Sequence, residues 1–193
     1  MAVIFMAIQI ELEKWTGTLQ YLIAAPTHWL PLLVGRSVAT FGDTLIGSAM
    51  VFGVLIPLLH PDIALINLLR AFPLMLLTVA STSALGWLVG AVALPIRWGL
   101  LFSNMVGYVM MILCSVNFPI EALPPAAQVI SRALPTTHGM MAIRAVIDGA
   151  SYSDVLALAG WEALVGVLYG LLAWSMFAYR LRTVRYRGTL EMF

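Results

Sequence analysis

The sequence predicts an all-α integral membrane protein that forms a single transmembrane domain over residues 1–193. Two observations lead to this prediction. Of the residues, 62% are hydrophobic and 10% are charged, with a mean hydropathy of +0.97, whereas a soluble domain has about 25% charged residues. The apolar residues also fall into long runs, which lipid solvates better than the core of one small soluble domain could.

Four of these runs are long enough to cross a bilayer as a helix, which takes about 20 residues. The predicted spans are residues 37–59, 71–94, 98–118 and 156–178. The opening "MAVIFMAIQI" is too short to cross alone, and we interpret it as the end of a further span. The expected architecture is therefore four full transmembrane helices plus an N-terminal partial span.

The basic residues predict the orientation, because cytoplasmic segments carry the excess of Lys and Arg. One side would hold Lys14, Arg36, Arg97, Arg180, Arg182, Arg185 and Arg187, and the other Arg70, Arg132 and Arg144. This asymmetry places the N-terminal polar segment and the tail, residues 179–193, in the cytoplasm. We expect a multi-pass protein of the plasma (inner) membrane, with basic residues of the tail at the lipid headgroups.

Residues 119–155 would lie on the outer side, but they do not resemble an ordinary water-exposed loop. Prolines divide the segment into two amphipathic runs, 125–134 and 137–148, each too short to span a bilayer. We predict two short re-entrant helices that dip into the outer leaflet. Pro124 or Pro125 can begin the first helix, and Gly149 can end the second.

Residues 11–26 form a polar island that contains the only lysine of the chain, within "EKWTGTLQYLIAAP". Trp15, Leu19, Leu22 and Ile23 fall at helical spacing and form one apolar face, while polar residues form the other. The pattern predicts an amphipathic helix that lies parallel to the cytoplasmic membrane surface.

Two stretches resemble motifs of the membrane subunits of ATP-binding-cassette exporters of the second permease class. "EKWTGTLQYLIAAP" resembles that family's E-[RK]-x-x-G-T-L-E…P segment, and "NFPIEALPPAAQVISRALPTTHGMMAIRAVIDG" resembles its F-P…L-P…L-P-x-T-x…x-R signature. The positions that match the second motif are Phe118, Pro119, Leu123, Pro124, Leu134, Pro135, Thr136 and Arg144. The order of the two motifs, the spacing between them and the sides of the membrane on which they are predicted to lie all agree with the family. The resemblance covers nearly the whole chain.

The resemblance implies that residues 11–26 are a coupling helix, which sits in a groove on a separate ABC ATPase subunit. The implied contacts are Glu13, Lys14, Gly17, Thr18, Leu19, Gln20 and Pro26. ATP and Mg would be bound by that partner, and this chain would carry no cofactor. A second permease subunit, identical or different, would complete a pathway whose substrate site alternates between the two sides.

The chain departs from the family pattern at two points. Gln20 stands where the family usually has glutamate, so one charged contact with the ATPase would be missing. The family has six spans, and the first span and most of the second are absent from this sequence. A shortened chain of this kind leaves open an alternative function as a passive or regulatory membrane subunit.

Three polar residues inside the predicted spans have two interpretations each. An acidic group at mid-bilayer costs about 2.5–3.5 kcal/mol on insertion scales, so Asp43 and Glu162 are expected to face the protein interior or water. They are either pathway contacts for substrate or protons, or residues near span ends that reach headgroups or an arginine. Asn104 either lines the pathway or forms an interhelical hydrogen bond.

The spacing of Gly166 and Gly170 allows close packing of two helices. The pair is either a dimer face or a contact within the chain.

Several classes of function are excluded by the residues that the sequence lacks. It contains no G-x-x-x-x-G-K-[ST] phosphate loop, so ATP hydrolysis requires a separate subunit. A formal net charge of +1 from few cations excludes a nucleic-acid face. The three histidines are far apart in the sequence, and no cysteine or carboxylate lies near them at the spacing of metal ligands, so we expect no metal site. No catalytic constellation is present either, and we expect no enzymatic activity in this chain.

The predicted function is the permease subunit of an ATP-driven exporter that moves a hydrophobic small molecule, drug or lipid out of the cell. The alternative cargo is a lipid-linked polysaccharide or other glycoconjugate, moved by the same mechanism. Polysaccharide exporters tend to have aromatic-rich channels, and the aromatic content of 10% is about average. The composition therefore favours a lipophilic cargo.

Overall fold

The computed structural model describes residues 29–59 and 65–187, together with the single positions 8, 12 and 16. All of its regular elements are helical, which confirms the all-α class. They are α1 (Trp29–Leu59), α2 (Leu65–Ala93), α3 (Gly99–Leu113), a 3₁₀ turn (Ile120–Ala122), α4 (Pro125–Ala133), α5 (Thr137–Ile147) and α6 (Tyr152–Arg187).

Within the described ranges, two helical stretches are both long and apolar enough to cross a membrane. They are Ile66–Ala93 in α2 and Tyr152–Arg180 in α6. The 31 residues of α1 extend over about 46 Å at the helical rise of 1.5 Å, so their length would suffice. That α1 spans the membrane over residues 37–59 stays a prediction, and the expected four full spans are not confirmed.

The third predicted span, 98–118, is wrong in its length. Helix α3 has 15 residues, or about 22 Å, which is shorter than the ~30 Å hydrocarbon core of a bilayer. Its last turn closes with the Cys114 N–H on the Met110 carbonyl at 2.8 Å, and Ser115 then adopts φ 57°. A left-handed residue at this position ends a helix. Hydropathy marked residues 114–118 as a continuation because it reports apolarity and not backbone direction.

The two short helices lie within one residue of their predicted boundaries. Pro125 is the first residue of α4, where its missing N–H costs no hydrogen bond. Gly149 follows α5 with φ 98°, and its N–H donates to the Val146 carbonyl at 3.1 Å. The Ala150 N–H donates to the Ala145 carbonyl at 2.9 Å, which completes a Schellman motif. That these helices enter the outer leaflet stays a prediction.

Helix α2 is the centre of the described structure, because α1, α3, α5 and α6 all pack against it. At one end, Trp87 meets Phe177 of α6 edge to face, with ring centroids 6.1 Å apart. The Trp87 indole N–H donates to the Ser37 hydroxyl at 3.0 Å, which links α1 to α2. Helix α6 continues to Arg187, so residues 179–187 of the predicted tail prolong this helix.

Candidate functional site

The long helices α2 and α6 approach closely where α6 has glycine. A Cβ built on Gly166 would lie 2.7 Å from the Ser81 Oγ and 3.1 Å from the Ser81 Cα. The Ser81 hydroxyl bonds the Leu77 carbonyl of its own helix at 3.0 Å and the Glu162 carbonyl of α6 at 3.3 Å. Gly170, one turn later, faces Ala84. This glycine pair therefore makes an intrachain contact, one of the two interpretations of its spacing.

The carboxylate of Glu162 lies at the N-terminus of α5. Glu162 stands about 15 Å along α6 from Tyr152 and has no exposed surface. Its Oε1 accepts the Thr136 N–H at 2.7 Å, and its Oε2 accepts the Gly139 N–H at 3.0 Å. The first N–H groups of a helix have no partner within the helix and carry its positive dipole end. Glu162 supplies the missing acceptors and a compensating negative charge.

The structure gives Glu162 partners that neither sequence interpretation named. Its two carboxylate oxygens accept backbone N–H groups and, among the described residues, no arginine bonds them. The carboxylate is fully covered in the described structure, and its role as a contact for substrate or protons stays a prediction. A buried charge is costly unless hydrogen bonds satisfy it, and two charge-assisted bonds at a helix N-terminus meet that condition.

Thr136, the residue before α5, has a strained backbone. Its φ of 88° and ψ of −33° lie where residues other than glycine are rare, and a β-branched side chain makes this conformation less favourable still. Such a residue costs about 1–3 kcal/mol and persists only when its surroundings hold it. Besides the bond to Glu162, the Thr136 hydroxyl lies 2.7 Å from the Thr82 hydroxyl of α2. Since Thr82 donates to the Thr78 carbonyl at 2.6 Å, Thr136 is the donor to Thr82.

Gly139 allows the first turn of α5 to touch α2. A Cβ built there would lie 2.1 Å from the Thr78 Oγ1 and 2.9 Å from both Thr78 Cβ and Cγ2. Rotation of the threonine cannot remove this overlap, because all three heavy atoms of the side chain are too close. The contact seats the N-terminus of α5 between Thr78 of α2 and Glu162 of α6.

A second group of hydrogen bonds joins the short helices to the end of α3. The buried Ser131 hydroxyl donates to the Leu113 carbonyl at 2.5 Å, and the buried Thr137 hydroxyl donates to the Ser131 carbonyl at 2.7 Å. The Arg144 guanidinium donates to the Val116 carbonyl at 3.1 Å. The bonds to Leu113 and Val116 supply donors to carbonyls at and beyond the C-terminal end of α3, which otherwise lack helical partners, and the bond to Ser131 joins α5 to the end of α4.

Apolar packing completes the seat of α5. Three residues of α5 pack with residues of α2 and of the start of α6 in one apolar cluster. Its members are Ala71, Leu74, Ala142, Ile143, Val146 and Val155. At the far end of α5, the Asn67 side chain of α2 donates to the Ile147 carbonyl at 3.3 Å. The Tyr152 hydroxyl donates to the Arg70 carbonyl. We call residues 119–150, held in this way, the short-helix segment.

The positions that match the second motif differ in what they contact. Pro135 is fully buried and Leu123 is buried, whereas Pro119 and Pro124 are exposed and set the extended backbone before each helical turn. The Phe118 carbonyl accepts the Ser115 hydroxyl at 3.2 Å. Thr136 and Arg144 make the bonds described above. These residues therefore shape the segment and fasten it to its neighbours.

The other predicted pathway residues are not gathered with Glu162. Asp43 is exposed on α1, and Asn104 is half-buried on α3. The structure brings Glu162 together instead with Thr78, Ser81, Thr136 and Gly139. Sequence reasoning missed Thr78 and Gly139, and only the hydroxyl-rich stretch 81–83 hinted at a polar contact here. No cluster of three or more metal-ligating side chains occurs among the described residues.

The predicted ATPase contacts are Glu13, Lys14, Gly17, Thr18, Leu19, Gln20 and Pro26, and all of them lie outside the described residues. Within that stretch, Leu12 is helical and exposed, and its carbonyl accepts the Thr16 N–H at 2.9 Å. The coupling helix 11–26 stays a prediction.

A comparison with protein families adds a finding that is independent of these contacts. The sequence model described as ABC-2 type transporter matches residues 1–147. This range includes the first motif stretch and every matching position of the second, and it ends with α5, so Glu162 lies beyond it. No curated relative and no solved structure matches the chain.

Proposed function

Because the chain belongs to the ABC-2 type transporter family and is a membrane subunit of a transporter, we propose that it is the permease of an ATP-driven exporter. Its cargo would be a hydrophobic small molecule, drug or lipid. The observation that carries the proposal is the family match over residues 1–147, which includes the predicted coupling helix, residues 11–26. Membership implies an ABC ATPase partner and often a dimer of permeases.

An apolar cavity supports the choice of a hydrophobic cargo. It has a volume of about 230 Å³ and lies between α1 and α2. Its lining residues are Phe41, Thr44, Leu45, Ser48, Ala49, Leu68, Leu69, Phe72, Met75, Leu76 and Val79, none of them charged. The Thr44 hydroxyl donates to the Thr40 carbonyl of its own helix at 2.8 Å. Pockets for lipophilic ligands have this apolar character, with few polar groups.

The first test is co-purification with an ATPase. The tagged chain is co-expressed with a candidate ABC ATPase subunit from its gene neighbourhood and purified in detergent, and the readout is co-elution. We expect the wild-type chain to retain the ATPase and the Glu13→Ala, Gly17→Val double variant to lose it. Absence of co-elution by the wild type would overturn the proposal in favour of a passive or regulatory subunit.

The second test separates a lipophilic cargo from a glycoconjugate. Leu45→Trp fills the α1–α2 cavity, and Leu171→Trp on the exposed face of α6 is the matched control. We expect Leu45→Trp to reduce ATP-dependent efflux of a lipophilic dye while ATPase co-elution remains, and Leu171→Trp to leave efflux unchanged. Absence of dye efflux from the wild-type complex would favour the glycoconjugate.

A further inference from the structure

The bonds around Glu162 hold the start of α5 at two residues, Thr136 and Gly139. Glu162 holds the N–H groups of Thr136 and Gly139 from the α6 side, at 2.7 and 3.0 Å. Thr82 accepts the Thr136 hydroxyl from the α2 side. The φ of 88° at Thr136 shows that this backbone is held in a conformation that it would leave if freed. The first turn of α5 is therefore under tension, and Glu162 provides two of the bonds that oppose it.

A buried thiol belongs to the apolar cluster next to the residues before α5. Cys114, the only cysteine of the chain, is 1% exposed and packs with Leu85, Val89 and Met110. Leu134 packs against this cluster, two residues before the strained Thr136. A displacement of the start of α5 would carry Leu134 away from this cluster, so the access of water to Cys114 reports on that displacement.

We propose that Glu162 is the positioning residue that holds the short-helix segment closed over α2, α3 and α6. Its negative charge at the N-terminus of α5 keeps Thr136 in its strained conformation and Leu134 over the Cys114 cluster. Removal of that charge releases the start of α5 and lets water enter between the short-helix segment and the three helices on which it packs. The closure itself requires only the described contacts, and its use as a barrier on a transport path rests on the proposed function.

The test measures the reaction of Cys114 with a water-soluble maleimide in the purified full chain, in lipid nanodiscs. Glu162→Gln preserves shape but removes the charge, and its amide N–H₂ would face a backbone N–H donor. Because a hydrogen bond to a charged group is worth at least a tenfold change in an opening equilibrium, we expect labelling to accelerate about tenfold or more. Glu162→Asp, which restores the charge, is expected to recover part of the slow labelling.

Val155→Ala is the matched control, because Val155 is 2% exposed and belongs to the apolar cluster beneath α5 but bonds no N–H group. We expect it to lower the Tm while labelling stays close to the wild-type rate. The proposal is overturned if Glu162→Gln labels at the wild-type rate. It is also overturned if Val155→Ala and Glu162→Gln accelerate labelling equally for an equal loss of Tm.

If Glu162→Gln does not fold, Thr82→Ala tests the hold on Thr136, because it removes the acceptor of the Thr136 hydroxyl and, besides that, only a bond within α2 to the Thr78 carbonyl. We expect roughly three- to tenfold faster labelling from the loss of one neutral hydrogen bond, and an unchanged rate would overturn the proposal. The labelling assay needs neither ATPase nor cargo. An unchanged labelling rate in the variants would therefore count against the closure alone, and absence of ATPase co-elution would count against the exporter function alone.

Discussion

Helix α2 makes a tight contact on one side and an open contact on the other. Toward α5 and α6, glycines meet hydroxylated side chains without space for a Cβ, and hydrogen bonds cross between the helices. Toward α1, apolar side chains surround a cavity. In lipid, apolar surfaces gain little by leaving acyl chains for one another, so close packing and polar bonds decide which helices stay together. We therefore expect a fixed α2–α5–α6 unit and an adjustable α1–α2 contact.

The largest expected effect comes from Gly139→Ala at the tight contact. The added Cβ overlaps three atoms of Thr78, and overpacking without room to relax costs about 3 kcal/mol. Thermal unfolding in detergent, followed by size-exclusion chromatography, measures the loss of Tm. The added substitution Thr78→Ala should recover part of it, since Oγ1 and Cγ2 are then absent. An undiminished Tm would show that α5 is not seated against α2.

Gly166→Ala should cost less, about 2 kcal/mol, because one of the overlapping Ser81 atoms is a hydroxyl oxygen that can rotate. The Cα of Ser81 cannot move in this way, so a real loss remains. Gly160→Ala is the control in the same helix, since nothing lies within 4 Å of its Cβ position. Helix propensity favours alanine there by about 0.5–1 kcal/mol. Equal Tm values for the two variants would contradict the close contact.

A pair of substitutions at Thr136 tests the backbone strain. Thr136→Gly and Thr136→Ala both lose the bond to Thr82, but only glycine adopts φ 88° without cost. We expect the glycine variant to be more stable than the alanine variant by about 1 kcal/mol, measured by thermal unfolding. At a position with negative φ the order would be reversed, because glycine loses more conformational entropy on folding. The sign of the difference is the result to record.

The smallest effect is expected at the open contact. Leu45→Ala, at a residue 37% exposed beside the α1–α2 cavity, should change stability by less than about 0.5 kcal/mol. Lipid or detergent can occupy the space that the side chain vacates. A loss of about 2–5 kcal/mol in the same unfolding assay, as for a closely packed leucine, would show that the two sides of α2 are equally tight.

Local signals in the sequence predicted the local structure well. Prolines at 124 and 125 and Gly149 act on their own backbone, so the limits of α4 and α5 were predicted to within a residue. The apolar run 98–118 gave too long a helix because Cys114 and Ser115 are buried by tertiary packing and not by a further helical turn, and Val116 and Asn117, which follow, are exposed. Cys114 and Ser115 are 1% exposed although the helix has already ended.

By itself, the sequence determined the all-α membrane class, the family, and the positions of the short helices. These follow from composition, hydrophobic periodicity and residues that constrain their own φ. Only the tertiary structure decided that Glu162 bonds residues 136 and 139, and that Gly139 touches Thr78. Those partners are more than 20 residues apart in the chain. Their contact depends on how three helices pack, which no local pattern of residues encodes.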